Sequence, residues 1–444
     1  MSGRPRDGGH DLITRDRRHV WHPFTQAATA PDPLPVVRAG GACLELADGR
    51  RVLDAISSWW TCLHGHGHPA LAAAVARQAA ELDHVMFAGC THPPAVAVAE
   101  RLTRIAPAGL TRVFFSDDGS TAVEVALKLA FQYWLNRGRP EKRRFVALEH
   151  AYHGDTIGAM SAGDPADFSG GFRPLLFPVE RAHTAHCLHC PVGLQRSTCA
   201  IECLRQLEGI LADGAATIAA LIVEPMVQAA GGMIITPPEF LKGAADLCRR
   251  HDVLLIADEV MTGFGRTGRM FAVEHAGVTP DLICLSKGLS GGVLPLAATL
   301  ATEAIYQAFL DPDRRRAFLH GHSFTANPIA CAAAAASLTL FDSEPVFERI
   351  AAIEAVYRER LPRLAAHPRV AGVRWLGTLG VVELRSEEGY FSDLGPRLSA
   401  EFLKRDLLVR PLGPVVYTLP PYAVTPAQLA GVYDALEEIL QEAS

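Results

Sequence analysis

The sequence contains no long apolar run and no excess of basic residues. Its longest apolar stretch, residues 329–341, is mostly alanine and is shorter than the roughly 20 residues of a membrane-spanning helix. The 42 Lys and Arg residues are outnumbered by 48 Asp and Glu residues, which gives a net charge of −6. A nucleic-acid-binding protein would normally carry a basic surface. Neither a membrane protein nor a nucleic-acid partner is therefore predicted.

The N-terminus also lacks the apolar core of a secretory signal. Residues 1–9 are mainly polar, and Asp7, Asp11 and Asp16 interrupt the arginines that follow, which disfavours a transit peptide. A cytoplasmic location is expected. The ten cysteines are then more typical of reduced thiols or metal ligands than of disulfides.

The chain is long and apolar enough to fold into more than one domain. It has 444 residues, 49% of them hydrophobic, which excludes a disordered chain and allows two or three domains. Short apolar runs predict buried strands at residues 113–115, 145–148, 220–223, 253–257 and 282–285. Helical patterns separate them at residues 121–137, 198–212 and 238–251. This alternation predicts an α/β fold with a mainly parallel sheet.

The two ends of the chain predict a second, smaller unit. After an alanine-rich helix at 328–341, we expect a helix at 345–361, strands at 370–376 and 379–384, and a helix from Thr425. Near the N-terminus, residues 43–48 and 51–54 resemble a hairpin. We predict a large domain at 71–335 and a small α/β domain at 336–444, with residues 1–70 contributing to the small domain.

Chemically useful side chains follow five of the predicted strands. They occur at residues 116–120, 149–153, 224–225, 258–259 and 286–288. In open α/β sheets, ligands bind beyond the carboxyl ends of the strands. A single polar residue after a strand is usually an ordinary loop residue, but five such groups together predict an active site.

Two of these groups suggest a particular chemistry. Gly119 and Ser120 begin a helix whose free N–H groups would favour an anion, although an ordinary helix cap fits the same residues. Lys287 follows a buried strand, where burial favours the neutral amine, and Asp258 ends the preceding strand. An amine, a carboxylate and an anion cradle are what pyridoxal phosphate requires. A structural Lys–Asp ion pair is the alternative.

Residues 263–268 match the G-x-G-x-x-G pattern of dinucleotide-binding proteins. An acidic pair precedes these glycines, and Lys287 stands where the pattern expects an acid. We therefore predict a loop in which Arg266 is available to an anionic substrate group.

Residues 256–268 (IADEVMTGFGRTG) and 285–288 (LSKG) resemble the signature of the class III pyridoxal-phosphate-dependent aminotransferases. The resemblance is greatest to members of this class that act in biotin synthesis. It extends from about residue 19 to near the C-terminus and includes residues 21–23, 57–60, 64–66, 84–87, 116–134, 152–161 and 410–411. It implies a fold type I transferase, with a large domain in which helices enclose a mainly parallel seven-stranded sheet and a smaller α/β domain.

The resemblance also implies roles for individual residues. Lys287 would bind the cofactor covalently and move the proton, Asp258 would hold the cofactor's ring nitrogen, and Tyr152 would stack on its ring. Gly119 and Ser120 would bind the phosphate, together with Ser323 from the other subunit of a homodimer with shared active sites. The residues expected at the substrate are Phe24, Trp59, Trp60, Arg266, Gly321, Arg410 and Tyr417, with Arg410 on the carboxylate.

The reaction implied is a ping-pong transamination. S-adenosylmethionine would donate the amino group and 8-amino-7-oxononanoate would receive it, giving 7,8-diaminononanoate. Phe24 stands where relatives that use this donor usually have tyrosine, so lysine as donor is an alternative. Another ω-aminotransferase specificity is a second alternative, and a metal-sensing protein on a degenerate aminotransferase scaffold is a third.

The four cysteines of an insertion at residues 183–203 form a separate motif. Cys187 and Cys190 are followed by Cys199 and Cys203, the last two expected on one face of a helix. This pattern suggests a structural zinc ion or an iron–sulfur cluster. An insertion with reduced thiols and no metal is the alternative.

Overall fold

The computed structural model describes residues 8–164, 166–386 and 389–442. The α-helices are α1 Gly8–His19, α2 Ser57–Trp60, α3 Pro69–Glu81, α4 Pro93–Ile105, α5 Gly119–Asn136, α6 Ile157–Ala162, α7 Ala166–Ser169, α8 Leu204–Gly214, α9 Pro238–Arg250, α10 Glu303–Gln307, α11 Pro328–Ser343, α12 Val346–Leu364, α13 Leu394–Lys404 and α14 Pro426–Glu442. Short 3-10 helices occur at Gly170–Leu175, Ala272–His275, Lys287–Ser290 and Arg314–Arg316.

The strands are β1 Val36–Gly40, β2 Cys43–Leu46, β3 Arg51–Asp54, β4 Leu110–Ser116, β5 Arg144–Leu148, β6 Glu180–Ala182, β7 Ile218–Val223, β8 Val227–Gln228, β9 Ile234–Ile235, β10 Leu254–Asp258, β11 Leu282–Leu285, β12 Ala297–Thr302, β13 Val370–Leu376, β14 Leu379–Leu384, β15 Leu407–Leu408 and β16 Val415–Thr418.

A seven-stranded sheet forms the centre of the molecule, in the order β4-β12-β11-β10-β7-β5-β6. The pairings among β11, β10, β7, β5 and β6 are parallel, whereas β12 runs antiparallel to both β11 and β4. All six residues of β7 are buried, as expected of a strand covered on both faces. The predicted mainly parallel sheet is confirmed, and all five predicted strands belong to it.

Helix α5 packs across the seven-stranded sheet and begins at the edge where the site was predicted. It packs against β4, β7, β10, β11 and β12, and its apolar face includes Trp134, whose indole Nε1 donates to the Ala219 carbonyl of β7 at 2.9 Å. Its N-terminus therefore lies at the carboxyl ends of the strands, where the polar side chains were expected.

The two ends of the chain meet in a second sheet, in the order β1-β2-β3-β15. The predicted hairpin is present as β2 and β3, and β15 pairs in parallel with β3 through Leu407 opposite Leu53. Strands β13, β14 and β16 form a third, antiparallel sheet. The large domain was predicted to end at residue 335, but helix α11 runs through this position without a break. The domain boundaries stay a prediction.

One predicted helix begins later than expected. Helix α8 starts at Leu204, with Cys203 as its cap, rather than at residue 198. Ile201 has a φ of +64°, which a right-handed helix excludes. Cys199 and Cys203 therefore do not share a helix face, and that part of the expectation is wrong. Within the described ranges, no helix is both long and apolar enough to span a bilayer.

Candidate active site

A cavity of about 450 Å³ opens at the carboxyl edge of the seven-stranded sheet. All five predicted strand ends contribute to its walls. The chemically active residues that line it are Asp117, Asp118, Gly119, Ser120, Tyr152, His153, Glu224, Asp258, Ser286 and Lys287. The structure therefore brings the five predicted strand ends together around one cavity.

Lys287 lies at the floor of this cavity, directly after β11. The Lys287 backbone has a φ of +34°. The next residue, Gly288, packs closely against Leu63, because a Cβ at position 288 would lie 2.9 Å from the Leu63 side chain. The Lys287 Nζ lies 4.6 Å from the centre of the Trp60 ring. Burial lowers the pKa of Lys287 to about 8, so the neutral amine is far more populated near neutral pH than in a free lysine.

Asp258 ends β10 and is hydrogen-bonded on both oxygens. Its Oδ2 lies 2.7 Å from Nδ1 of His153, and its Oδ1 accepts from the Val260 N–H at 3.0 Å. Both side chains are almost completely buried. His153 Nε2 is buried without a hydrogen-bond partner in the part of the chain described here. The two hydrogen bonds satisfy both oxygens of this buried side chain at the cavity wall.

Glu224 follows β7 and orients the segment that carries Tyr152. Its Oε1 accepts from the Tyr152 N–H and its Oε2 from the Ala229 N–H, each at 2.9 Å. Burial raises the pKa of Glu224 to about 7 and also raises that of the Tyr152 hydroxyl. The phenol of Tyr152 therefore stays neutral, with its ring at the cavity.

The N-terminus of α5 forms another wall of the cavity. Asp118 caps the helix by accepting from the Thr121 N–H at 2.9 Å, and the Ser120 hydroxyl accepts from the Asp155 N–H at 3.1 Å. A Cβ on Gly119 would lie 2.6 Å from Val260, so only glycine allows this close approach. The first turn of a long helix is thereby presented to the cavity, a site suited to a phosphate.

The segment Ser57–Trp60 is a left-handed turn of four residues without glycine. The φ angles are +52° for Ser57, +44° for Ser58, +70° for Trp59 and +72° for Trp60. A left-handed conformation costs roughly 1–2 kcal/mol for each residue with a Cβ. Such strain persists only where surrounding contacts fix the backbone.

The turn directs its two indoles toward two different cations. The Trp60 ring is buried beneath Lys287 and donates from Nε1 to the Tyr417 hydroxyl at 3.0 Å. The Trp59 ring is 37% exposed and lies 4.8 Å from the guanidinium of Arg410. Trp59 also meets Phe24 edge to face, with 5.4 Å between ring centres. Phe24, Trp59, Trp60, Arg410 and Tyr417, all predicted at the substrate, thus form one continuous wall, which borders the cavity through Trp60 and extends beyond it.

Two aromatic residues of this wall were not predicted. Phe168 contacts Phe24 and Tyr152, with ring centres 5.9 and 6.3 Å apart, and Tyr390 lies 4.8 Å from Phe168. Neither residue lies in a motif of recognisable spacing. Tyr390 lies in a loop and Phe168 in the short helix α7, and no signal in the sequence connects either with the site.

Arg266 does not face the cavity, contrary to the prediction that it binds an anionic substrate group. Its side chain is 1% exposed, and it donates to the carbonyls of Trp60 at 3.1 Å, Cys62 at 3.3 Å and Pro420 at 2.9 Å. The glycine-rich loop carries the arginine inward, where it holds the segment after the left-handed turn. The structure therefore assigns Arg266 to the support of the substrate wall.

Gly321 and Ser323 are exposed and lie outside the walls of the cavity. Between them, His322 pairs with Asp117 at 2.8 Å through Nδ1. Their predicted roles depend on a second copy of the chain, so they stay predictions.

The four clustered cysteines line a small cavity of about 20 Å³. Burial raises the pKa of Cys203 to about 11 and also raises that of Cys187. Among the described residues, the side chains with three ligand atoms within 4.8 Å of one another are His186, His189 and Glu383, and not the thiols. Glu383 already accepts from Arg374 at 2.7 Å. Metal binding at the four cysteines therefore stays a prediction.

The residues at the main cavity fit pyridoxal phosphate. A buried amine, a buried carboxylate, an aromatic ring and a glycine–serine helix N-terminus all line one space, and the orphaned His153 Nε2 lies behind the carboxylate. On a helix-covered, mainly parallel sheet, this arrangement defines a pyridoxal-phosphate-dependent transferase of fold type I.

Comparison with known proteins narrows this class. The aminotransferase class-III family matches residues 25–440, and the chain belongs to it. Adenosylmethionine-8-amino-7-oxononanoate aminotransferase of Synechococcus elongatus is 49% identical over 96% of this chain and 99% of its own length. The enzyme of the same name from Geobacter sulfurreducens is 44% identical, over 95% of this chain and 96% of its own length.

Solved structures agree with these relatives. The crystal structure of the Methanocaldococcus jannaschii enzyme of that name has a TM-score of 0.92 and 35% identity, and the match covers 98% of this chain and 99% of that one. An (S)-enantioselective ω-transaminase from Thermomicrobium roseum also has a TM-score of 0.92, at 32% identity over 98% of both chains. The family fold is therefore shared by enzymes of different specificity.

Proposed function

We propose that this protein transfers an amino group to 8-amino-7-oxononanoate, forming 7,8-diaminononanoate in biotin synthesis. The observation that carries the proposal is similarity over nearly the whole chain to relatives that bear the name of this reaction, at 49% and 44% identity. The geometry accords with it, because the Lys287 amine and the Arg410 guanidinium, a group that can bind a carboxylate, lie against the same aromatic wall.

Pyridoxal phosphate, when bound, supplies an aldehyde that reacts with amines and a ring that accepts electrons from the bond being broken. Lys287 is the residue that would hold it, because burial lowers the pKa of its Nζ to about 8 and so makes the neutral, nucleophilic amine more accessible than in a free lysine. Once released, the same Nζ can take a proton from the substrate carbon and return it. Asp258, fixed by His153, would keep a proton on the ring nitrogen.

Orientation of the acceptor falls to Arg410. Its guanidinium lies on the face of Trp59, at the opposite end of the wall from Lys287, which lies over Trp60. A nine-carbon keto acid whose carboxylate is bound by Arg410 would extend along the two indoles. Phe24, Phe168 and Tyr390 would give this chain further apolar contacts.

The amino donor we propose is S-adenosylmethionine, in keeping with the names of the relatives. Lysine is the second candidate, because position 24 is Phe and offers no hydroxyl beside Trp59. A half-reaction tests both. Cofactor-loaded enzyme is mixed separately with S-adenosylmethionine, with lysine and with ornithine, and the visible cofactor band is followed.

Bleaching by S-adenosylmethionine, followed by its return on addition of 8-amino-7-oxononanoate, is the expected result. Bleaching by lysine with the same return would keep the reaction and change the donor. If only ornithine or another ω-amine bleaches the band, and the keto acid does not restore it, the assignment to biotin synthesis is wrong.

We further propose that the active site is completed by a second copy of the chain, which would bring Ser323 to the phosphate. The exposure of Gly321 and Ser323 on one loop supports this. A homodimer is the expected result of analytical ultracentrifugation. The cytoplasmic location and the zinc or iron–sulfur site at Cys187, Cys190, Cys199 and Cys203 stay predictions.

A further inference from the structure

The left-handed turn Ser57–Trp60 needs an anchor, and the nearest charged group is Asp54. Asp54 is the last residue of β3 and is completely buried. Its Oδ1 accepts from the Ile56 N–H at 3.2 Å, and its Oδ2 accepts from the Ser58 hydroxyl at 2.7 Å. One carboxylate therefore binds the backbone just before the turn and a side chain within it.

The negative charge of Asp54 is balanced by the side chain of His66. His66 Nε2 lies 2.8 Å from Oδ2 of Asp54, and this hydrogen bond raises the pKa of His66 to about 10. Burial alone would raise the pKa of Asp54, but the hydrogen bonds from His66 and Ser58 lower it overall. The pair is therefore ionised at neutral pH. The carboxylate remains a strong acceptor for the Ser58 hydroxyl.

The same turn carries the two indoles that contact Lys287 and Arg410. Trp59 and Trp60 are consecutive, yet one indole lies against Arg410 at 4.8 Å and the other against Lys287 at 4.6 Å. In a right-handed turn, the same two side chains would project in other directions. The contacts of Trp59 with Arg410 and of Trp60 with Lys287 therefore depend on the turn keeping its left-handed form.

We propose that Asp54, Ser58 and His66 form a positioning unit that sets acceptor specificity by holding the Trp59–Trp60 wall in its left-handed form. None of the three touches the predicted cofactor groups. Their effect is on where the substrate chain and its carboxylate lie relative to Lys287. The inference rests on the proposed function only in that the acceptor is taken to be a carboxylate-bearing ketone.

The sharpest test is a pair of substitutions at Ser58, which is exposed and outside the hydrophobic core. Ser58→Ala removes the hydroxyl and keeps the strain, because alanine also has a Cβ. Ser58→Gly removes the same hydroxyl but also removes the strain, because glycine adopts positive φ freely. A difference between these two variants reports the left-handed backbone itself.

We expect Ser58→Ala to raise the KM for the acceptor about tenfold, the loss of a hydrogen bond to a charged group. Ser58→Gly should raise it less than about threefold. Asp54→Asn and His66→Gln should raise the acceptor KM by about 10- to 100-fold, with kcat changed less. The visible cofactor band and the donor half-reaction should match those of the wild type.

The matched control is His68→Gln. His68 pairs with Glu344 at 3.0 Å, a similar half-buried ion pair two residues further along, but it has no contact with the turn. This variant should leave the acceptor KM unchanged. If it raises the KM as much as His66→Gln does, a general loss of stability explains the data and the proposal is wrong.

Equal KM values for Ser58→Ala and Ser58→Gly would also overturn the proposal, as would loss of the cofactor band in either. Should Asp54→Asn fail to fold, the Ser58 pair alone decides. If the wild-type enzyme rejects 8-amino-7-oxononanoate, the proposed function fails. The same variants are then compared with the carboxylate-bearing ketone that it does accept, and the positioning unit is judged separately.

Discussion

Arg266 and Arg410 lie in the same region but are expected to do different things: Arg266 supports the substrate wall, and Arg410 binds the substrate carboxylate. Replacing each arginine by methionine tests these two roles independently. Arg266 is buried and holds three carbonyls, whereas Arg410 lies half-buried on the exposed ring of Trp59. Methionine keeps an unbranched apolar side chain at either position and removes every hydrogen bond. The two variants should therefore fail in different assays.

For Arg266→Met, the magnitude follows from the three carbonyls left unpaired in the core. Each buried unpaired acceptor costs about 1–3 kcal/mol, partly offset because a cation no longer has to be buried. A net loss of about 3–5 kcal/mol is expected. For a chain of 444 residues, this corresponds to a fall in Tm of about 3–5 °C.

For Arg410→Met, stability should be unchanged and binding should suffer. A hydrogen-bonded pair with a substrate carboxylate is worth about 1.5–3 kcal/mol, so the KM for the keto acid should rise about 10- to 150-fold. A ketone acceptor without a carboxylate should be converted as well by this variant as by the wild type. Arg266→Met should impair both acceptors alike.

The assay is differential scanning fluorimetry of the cofactor-loaded enzymes, together with acceptor kinetics on both ketones. The reasoning is refuted if Arg266→Met keeps its Tm within about 1 °C and loses only the carboxylate-bearing acceptor. In that case Arg266 would bind substrate, as the sequence first suggested.

Three further predictions concern the cofactor, the donor and the metal. Capture of pyridoxal phosphate by the apo-protein should rise with pH with a midpoint of about 8, because burial lowers the pKa of Lys287; a midpoint above 10 would contradict this. Phe24→Tyr should increase the kcat/KM ratio for S-adenosylmethionine over lysine about 2- to 12-fold, as one added hydrogen bond allows, and an unchanged ratio would remove position 24 from donor choice. Elemental analysis of untagged protein should find about one zinc per chain, or the iron of one cluster, if Cys187–Cys203 binds metal, and essentially none would end that prediction.

The strands and the location of the site could be predicted because both follow from local patterns. Buried parallel strands are short apolar runs, and their carboxyl ends gather polar residues at one edge. Lys287, Asp258 and the Gly119–Ser120 turn could all be identified in this way. Strand β12 (Ala297–Thr302) was not predicted, because its sequence has no pattern that indicates an antiparallel strand between β4 and β11.

Features that depend on distant contacts could not be predicted. The inward course of Arg266 is set by carbonyls of Trp60, Cys62 and Pro420, which lie more than a hundred residues away in the chain. The left-handed turn contradicts the preferences of its own residues, since serine and tryptophan rarely adopt positive φ. Tertiary hydrogen bonds favour it: those around Asp54, the one from the Ser57 hydroxyl to the Leu419 carbonyl at 2.7 Å, and the one from Arg266 to the Trp60 carbonyl.

The pairing of β3 with β15 has a consequence for synthesis of the chain. β3 leads directly into the Ser57–Trp60 turn, yet its parallel partner, Leu407–Leu408, is made about 350 residues later. At ribosomal rates of roughly 5–20 residues per second, the edge of β3 stays unpaired for about 20–70 seconds. The large sheet can form during this interval, but the substrate wall cannot. In a nascent chain, the sheet edge that carries Lys287 should therefore form before the wall that sets substrate specificity. Until β15 is made, chaperones would meet the exposed edge of β3 beside Trp59 and Trp60.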